Sequence, residues 1–224
     1  MKAVVLCWVA VGVLALMHGT PAGAQSERIL DYYSDVVVSA DGSMMVTETL
    51  KVEAAGDQIK RGIYRDFPTE YGGPYWTRVV VPFEVLKVQR DGHAEPYHLE
   101  DQSNGVRVYI GDSGVLLEPG QYTYTIVYRT DRQLGFFGTH DELYWNVTGN
   151  GWAFPIDRAS ARVHLPADVP RDQIQLGGYT GAQGSKAHDL VTSSDPQTHD
   201  ILFATTQPLA AHEGLTIVAS FPKG

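Results

Sequence analysis

The fold is decided by a stretch that reads Tyr122-Thr123-Tyr124-Thr125-Ile126-Val127-Tyr128-Arg129. Tyrosine and isoleucine alternate here with threonine and valine, so the large side chains share one face of an extended chain. This period of two residues is typical of a β-strand that buries one face. Glu118-Pro119-Gly120 supplies turn residues immediately before the strand.

The same alternation recurs on both sides of this stretch, whereas no helical periodicity extends beyond about two turns. In Met44 to Val52, the residues Met44, Val46, Leu50 and Val52 share one face. Asp41-Gly42 and Asp91-Gly92 are signals for hairpin turns, and we expect the strand after Asp91-Gly92 to return at Tyr97 to Glu100. Further strands are predicted at 79–90, 106–110, 143–148, 159–165, 187–191, 201–205 and 215–221. The sequence therefore predicts an all-β fold, an antiparallel β-sandwich with long irregular loops at 54–78 and 130–142.

The first 24 residues have the three parts of a signal peptide. Lys2 provides a positive charge, Ala3 to Met17 form an apolar run of 15 residues, and Ala22-Gly23-Ala24 is a cleavage pattern. A spanning helix needs about 20 apolar residues, so a membrane anchor is the weaker interpretation. We expect an exported protein cleaved after Ala24, with residues 25–224 forming one extracytoplasmic domain in the periplasm or at the cell surface.

The composition of the mature chain excludes several classes of protein. Without Lys2, its 16 basic residues face 26 acidic ones, for a net charge of −10. This balance argues against a nucleic-acid partner and against a broad anionic-membrane surface. The single cysteine, Cys7, lies in the signal segment, so a hydrophobic core must stabilise the mature domain without disulfides or thiolate ligands.

No catalytic residue, metal ligand or cofactor is predicted. Gly111-Asp112-Ser113-Gly114 resembles the nucleophile loop of trypsin-like proteases, but a hairpin turn explains all four residues. The acidic pairs Glu100-Asp101 and Asp141-Glu142 would point to opposite faces of a strand, so neither pair alone forms a two-carboxylate site. The histidines lack the spacing of a catalytic zinc site.

Two motifs combine aromatic, charged or amide, and turn residues within a short span. The first is the segment 61–68 and the second is 143–149, followed by Trp152. Tyrosine and tryptophan provide large contact areas with one polar tip each. In the first motif, Arg65 with Asp66, or Arg61 with a carboxylate elsewhere, could form a charge-assisted pair. We expect the segments 61–68 and 143–157 to meet in space, as core or as a binding surface; the candidate residues are Arg61, Tyr64, Arg65, Asp66, Tyr144, Trp145, Asn146 and Trp152.

In this order, the motifs resemble the YciQ-like family of predicted bacterial membrane proteins, a family of unknown function. The resemblance extends from Glu27-Arg28-Ile29 to the final Phe221-Pro222-Lys223-Gly224, and Tyr144 to Gly149 is its most specific part. It implies that transmembrane helices follow the exported domain. We therefore expect the natural chain to continue past Gly224 into a membrane anchor, with a free secreted form as the alternative.

These observations favour a non-enzymatic binding or assembly domain of a membrane-anchored envelope protein, with an envelope protein or a glycan as partner. One alternative is an envelope enzyme that acts on carbohydrate or peptidoglycan through carboxylates from separate loops. The other is a purely structural domain that supports a membrane partner. A cleft lined by two suitably spaced carboxylates would favour the enzyme.

Cleavage after Ala24 predicts that N-terminal sequencing of the exported protein begins at Gln25, because Ala22-Gly23-Ala24 is the small-residue site behind the apolar run. A mature protein that retains Met1 would contradict this prediction.

Overall fold

The computed structural model describes residues 26–72 and 77–223, so the predicted signal segment 1–24 lies outside the described residues. The described chain consists of β-strands and one short 3-10 helix, Arg171–Gln173, and contains no α-helix. The all-β prediction is confirmed. The strands are β1 (Arg28–Val38), β2 (Met44–Ala54), β3 (Ile63–Pro68), β4 (Glu70–Gly72), β5 (Arg78–Val80), β6 (Phe83–Arg90), β7 (His93–Ala94), β8 (Tyr97–Gln102), β9 (Gly105–Ile110), β10 (Gly120–Thr130), β11 (Leu134–Phe136), β12 (His140–Asn146), β13 (Ala159–His164), β14 (Gln175–Gly181), β15 (Leu190–Ser194), β16 (Ile201–Thr205) and β17 (Gly214–Pro222).

The strands form one large sheet and three smaller ones. The large sheet has the order β15-β16-β13-β1-β2-β10-β6-β7, and a four-stranded sheet has the order β11-β12-β17-β14. A three-stranded sheet has the order β3-β9-β8, and β4 pairs with β5. The described strand pairs are antiparallel, as predicted, except that β1 and β13 run parallel from Tyr32↔Ala159 to Val37↔His164. The chain therefore joins its first strand to a partner that comes much later in the sequence.

One hydrophobic cluster connects the sheets. In β2 the predicted face, Met44, Val46, Leu50 and Val52, is fully buried, and the alternating face of β10 contributes to the same core. The four-stranded and three-stranded sheets add their own inward-facing residues to this cluster, which gives a sandwich-like arrangement. Representative core residues from these sheets are Tyr124, Ile126, Tyr128, Leu143, Ile217, Ile63, Val108 and Ile110.

Both segments predicted to be irregular contain strands. In 54–78 the structure places β3 and β4, and in 130–142 it places β11 and the start of β12. The strand β14 was not predicted, because Gly177 and Gly178 have no side chains to show an alternating pattern. A Cβ atom on Gly178 would lie 2.6 Å from the carbonyl oxygen of Thr216, so close strand contact requires glycine there.

The second hairpin differs from the prediction. Asp91 and Gly92 form the turn, both with positive φ, but the returning strand is the two-residue β7. Tyr97–Gln102 instead pairs with β9 in the three-stranded sheet. Pro96 lies between the two strands and has no N–H group to continue the first ladder, which explains the change of partner.

Two glycines allow β3 and β9 to approach each other. A Cβ atom on Gly62 (φ +141°) would lie 1.8 Å from the carbonyl oxygen of Ile110, and one on Gly111 (φ +135°) would lie 1.9 Å from that of Arg61. The contact is reciprocal, so each glycine makes room for the backbone that carries the other. Gly111 thus has a packing reason to be glycine.

We expect Gly62→Ala to destabilise the domain by about 3 kcal/mol or more, because it adds a backbone clash to the cost of a positive φ. Gly56→Ala (φ +82°) has open space around its Cβ and isolates the conformational cost, about 1–2 kcal/mol. Urea denaturation of both variants measures the difference. Equal losses of unfolding free energy would show that the backbone clash at position 62 adds nothing to the cost of the positive φ.

Candidate functional site

A buried ion pair lies at the point where the two motifs meet. Arg65 projects inward from β3 and is 5 % exposed, whereas Glu48 projects from β2 and is fully buried. The guanidinium Nε and Nη2 atoms donate to the two carboxylate oxygens of Glu48, each at 3.0 Å. This two-point geometry is the strongest that arginine forms with a carboxylate.

The surrounding groups satisfy the remaining donors and acceptors of the pair. Arg65 Nε also donates to the hydroxyl of Tyr32 (3.1 Å), and the hydroxyl of Tyr128 donates to Glu48 (2.9 Å). Arg65 Nη2 donates to the carbonyl oxygen of Val147 (3.1 Å), which belongs to the second motif. The network therefore joins the large sheet, the three-stranded sheet and the turn after β12, and it confirms that the segments 61–68 and 143–157 meet.

Burial and charge shift the ionisation of this network. Burial raises the pKa of the Tyr32 and Tyr128 hydroxyls well above the usual tyrosine value, so both remain neutral donors and acceptors. Burial alone would lower the pKa of Arg65, but the charge and hydrogen bonds of Glu48, together with the nearby Tyr32 and Tyr128, outweigh burial and raise the pKa. The arginine stays protonated because its partner is held against it.

The second motif ends in a tight turn that fits over the arginine. Gly149 has φ +71°, and a Cβ atom there would lie 2.5 Å from Arg65 Nη1. The side-chain oxygen of Asn146 accepts a hydrogen bond from the Gly149 N–H (3.0 Å), and the Asn146 amide donates to Asn150 (2.8 Å). Trp152 is fixed against the same turn by its indole N–H, which donates to the carbonyl oxygen of Thr148 (2.8 Å).

The ion pairs of the first motif differ from those predicted. Arg65 pairs with Glu48 and reaches only the backbone oxygen of Asp66. The carboxylate of Asp66 pairs instead with Arg107 of β9, at 2.6 and 2.8 Å. Arg61 is exposed and forms no ion pair with any described residue.

A large cleft of about 1150 Å³ opens above this network. Its walls come from β3, the turn between β11 and β12, the turn after β12 and the end of β14, and Phe137 is among the lining residues. Both motifs contribute to the walls. Tyrosine rings and side-chain amides are among the lining residues. Tyr64, Tyr144, Asn104 and Asn146 are exposed, whereas Tyr179 and Asn150 are partly buried.

The predicted site residues divide into three groups. Arg65, Trp145 and Trp152 are buried and form part of the cleft floor, while Tyr64, Tyr144 and Asn146 are exposed in its walls. Asp66 lies partly exposed at the edge, neutralised by Arg107. Arg61 does not line the cleft.

The sequence prediction missed Glu48 and Arg107, the two partners of the motif charges. Glu48 occupies a buried-face position of β2, and this charged residue in an otherwise apolar set was the available signal. Arg107 has a pattern signal too, because it alternates with Val106 and Val108 in β9. The guanidinium of Arg107 lies 4.0 Å from the centre of the Tyr64 ring, so it both neutralises Asp66 and supports an exposed aromatic.

Three further observations concern Ser113, metal-binding side chains and membrane-spanning helices. Ser113 lies in a turn in which Asp112 accepts a hydrogen bond from the Gly114 N–H (2.7 Å). Within 26–72 and 77–223, no group of three or more His, Cys, Asp or Glu residues is arranged to hold a metal ion. In the same residues, no helix has the length and apolar character needed to cross a membrane.

Comparison with known proteins places the chain in a family. The family described as "Predicted membrane protein (DUF2207) N-terminal domain" matches residues 28–221. The chain belongs to this family. It is 31% identical to the uncharacterized protein YciQ of Escherichia coli (strain K12) over 176 residues, which cover 78% of this chain and 28% of YciQ. The chain thus spans well under half the length of that relative.

Solved structures share the fold at low sequence identity. Native yeast LTA4 hydrolase aligns with a TM-score of 0.54 and 13% identity, over 87% of this chain and 29% of the enzyme. The yeast enzyme in complex with bestatin gives the same TM-score at 15% identity, over 87% and 28%. These similarities show the fold alone.

We expect Arg65→Met to cost about 3–5 kcal/mol of unfolding free energy, because it leaves the buried Glu48 carboxylate without its counter-charge. The matched control is Arg107→Met, which removes the partner of the more exposed Asp66 and should cost about 1 kcal/mol or less. Denaturant unfolding of both variants makes the comparison. Similar losses of unfolding free energy would mean that the buried pair stabilises the domain no more than the exposed pair does.

Proposed function

We propose that this family member is an exported, non-enzymatic binding domain on the extracytoplasmic side of a bacterial membrane. Its binding site is the cleft formed by the two motifs, and its ligand is an uncharged, hydroxyl-rich chain such as an envelope glycan. The observation that carries the proposal is the set of tyrosine rings and side-chain amides that line the cleft above the buried, hydrogen-bonded pair of Arg65 and Glu48.

The floor is suited to binding because its geometry is fixed before a ligand arrives. Arg65 ties β3 to the turn that follows Asn146, and Gly149 in this turn fits closely over the guanidinium. The walls therefore lose little conformational freedom on binding, which lowers the cost of association. A site of this kind retains its shape without a ligand.

The chemistry of the walls favours a neutral polar ligand. Tyr144 is 57 % exposed, and a tyrosine ring offers a flat apolar face with a polar tip. The amides of Asn104 and Asn150 can each donate and accept hydrogen bonds, as hydroxyl groups require. Two basic residues, Arg65 and Arg132, balance two acidic ones, Asp66 and Glu142, in the lining, so the cleft has no excess of charge to select an ion.

The size of the cleft supports a chain rather than a single small molecule. Ligand pockets for small molecules usually measure about 300–1,000 Å³, and this cleft exceeds that range. Its lining extends from β3 across the turn after β12 to β14, so a polymer could contact several elements at once. An extended segment of an envelope protein is the competing occupant.

The carboxylates of the cleft support binding over hydrolysis. Both oxygens of Asp66 are held by Arg107, and Glu142 accepts the hydroxyl of Ser220 (2.8 Å). A glycosidase needs one carboxyl group free to protonate the leaving oxygen and another to attack or to activate water. The similar solved structures are enzymes by name, but at 13–15% identity they provide no argument for activity here.

We expect Tyr144→Ala to weaken binding of soluble peptidoglycan glycan strands by about tenfold or more, because a large aromatic side chain that contacts a ligand contributes strongly to affinity. Tyr144→Phe keeps the ring and should retain most of the affinity. The matched control is Tyr97→Ala, which removes a tyrosine of similar exposure (42 %) outside the cleft. Isothermal titration calorimetry measures the affinities, and co-sedimentation with purified peptidoglycan extends the test to the polymer.

The same samples distinguish the alternatives. Release of new reducing ends from the strands would favour the enzyme, and unchanged binding by Tyr144→Ala would move the site away from the cleft. Absence of glycan binding by the unaltered domain would overturn the proposal.

A further inference from the structure

The turn between β11 and β12 exposes two adjacent phenylalanines at one end of the domain. Phe136 is 69 % exposed and Phe137 is 48 % exposed, and Gly138 and Thr139 complete the turn. The turn itself is rigid in outline, because the Phe137 N–H donates to the carbonyl oxygen of His140 (2.9 Å) and the two rings of these residues stack at 4.8 Å. We call residues 136–139 the aromatic tip.

The aromatic tip lies beside the point where the chain leaves the domain. In the four-stranded sheet, His140 at the start of β12 pairs with Pro222 at the end of β17. Lys223, the last described residue, donates to Asp141 at 3.0 Å, and its ammonium lies 5.9 Å from the centre of the Phe136 ring. The tip and the exit of the chain therefore share one end of the sandwich.

That end is the side on which the rest of a family member continues. The family is the N-terminal domain of predicted membrane proteins, its match ends at Phe221, and this chain spans 28% of YciQ. We propose that the aromatic tip inserts into the lipid surface, so that the domain stands on the membrane at its β17 end. The Phe136 and Phe137 rings enter the interface, and Lys223 lies at the level of the phosphates.

The charges of the domain agree with a contact restricted to this tip. The mature chain is acidic, with 26 acidic against 16 basic residues, so a broad face would be repelled by anionic lipid. The tip contains no charged residue, and Asp141, which lies opposite Phe136 in the strand pair, is paired with Lys223. Insertion then depends on apolar area and changes little with the anionic lipid content.

A short insertion is sufficient when the chain is already anchored nearby. A tether of a few residues raises the effective concentration of the tip at the bilayer to the millimolar range, so an interaction too weak to recruit a free protein is still occupied. The inserted tip then fixes the direction in which the domain points. It does not need to supply membrane affinity by itself.

The opposite end of the domain offers a matched comparison. Val115 and Leu116 are exposed (48 % and 64 %) in the loop that precedes β10. Strand β10 is 11 residues long, and the aromatic tip comes after its C-terminal end. If exposed apolar residues alone determined contact, this loop would insert equally well. The proposal assigns contact to the tip only.

The absence of cysteine from residues 25–224 allows a site-specific test. Thr139→Cys and Ser113→Cys, each labelled with an environment-sensitive nitrobenzoxadiazole dye, report on the tip and on the opposite loop. The labelled chain 25–224 carries a C-terminal hexahistidine tail and is tethered to phosphatidylethanolamine–phosphatidylglycerol vesicles that contain nickel-chelating lipid. Nitroxide-labelled lipids measure the depth of the dye by quenching.

We expect the dye at 139 to become brighter, blue-shifted and quenched by the lipid nitroxides, while the dye at 113 keeps the emission of a label in water. In the Phe136→Ser/Phe137→Ser background, the inserted fraction of the 139 label should fall by about tenfold or more, because two apolar rings are lost. The proteins with the original tip and with the double substitution are both tethered through the histidine tail. An unchanged thermal melting temperature confirms that they stay folded. Water-like emission at 139, or insertion that survives the double substitution, would overturn the proposal, as would equal insertion of the label at 113.

Discussion

A single buried ion pair, Arg65 with Glu48, sets the arrangement of the sheets around it. Two charges removed from water are tolerated only when every polar atom finds a partner, and here the partners come from separate strands. Tyr32 and Tyr128 serve the pair from the large sheet, and the Val147 carbonyl serves it from the second motif. A shift of any sheet would leave a buried charge or carbonyl unsatisfied. The network thus specifies how the sheets pack against each other. Apolar contacts alone would specify this packing less selectively.

The same strands, β3 and β12, provide the buried floor of the cleft and the exposed residues around it. Arg65 is a residue of the floor and is almost inaccessible, yet Asp66, the next residue, faces the rim. Because successive residues of a strand point to opposite faces, β3 places a structural charge inside and a second charge outside. The same alternation puts Trp145 inward and Tyr144 outward in β12. Each motif therefore contributes residues both to the core and to a surface. The sequence-based expectation had treated these two roles as alternatives.

The sequence predicted the strands with clear alternation and failed where the alternation was absent or contradicted. Tyr122 to Arg129 and Met44 to Val52 were identified because large apolar side chains mark one face. The pattern could not reveal β14, whose glycines carry no such mark, or the parallel pairing of β1 with β13, which depends on distant residues. Glu48 was passed over because a carboxylate on a buried face contradicts the pattern, although such a contradiction points to a charged partner. The meeting of the two motifs was predicted correctly from their need for shared hydrogen-bond partners, but Arg107 was not identified as the partner of Asp66.

The spread of the network along the chain has a consequence for how the protein is made. A polypeptide appears N-terminus first, and Tyr32, Glu48 and Arg65 emerge long before Val147 and before β13, the parallel neighbour of β1. Until β10 and β13 have emerged, both edges of the β1–β2 hairpin are unpaired, and its apolar face carries a carboxylate. Contacts of such long sequence separation make folding slow, in the range of milliseconds to seconds for β-rich domains. The half-made domain is therefore a species that must be protected from association, and the charge of Glu48 itself helps to keep that apolar face from pairing with a wrong partner.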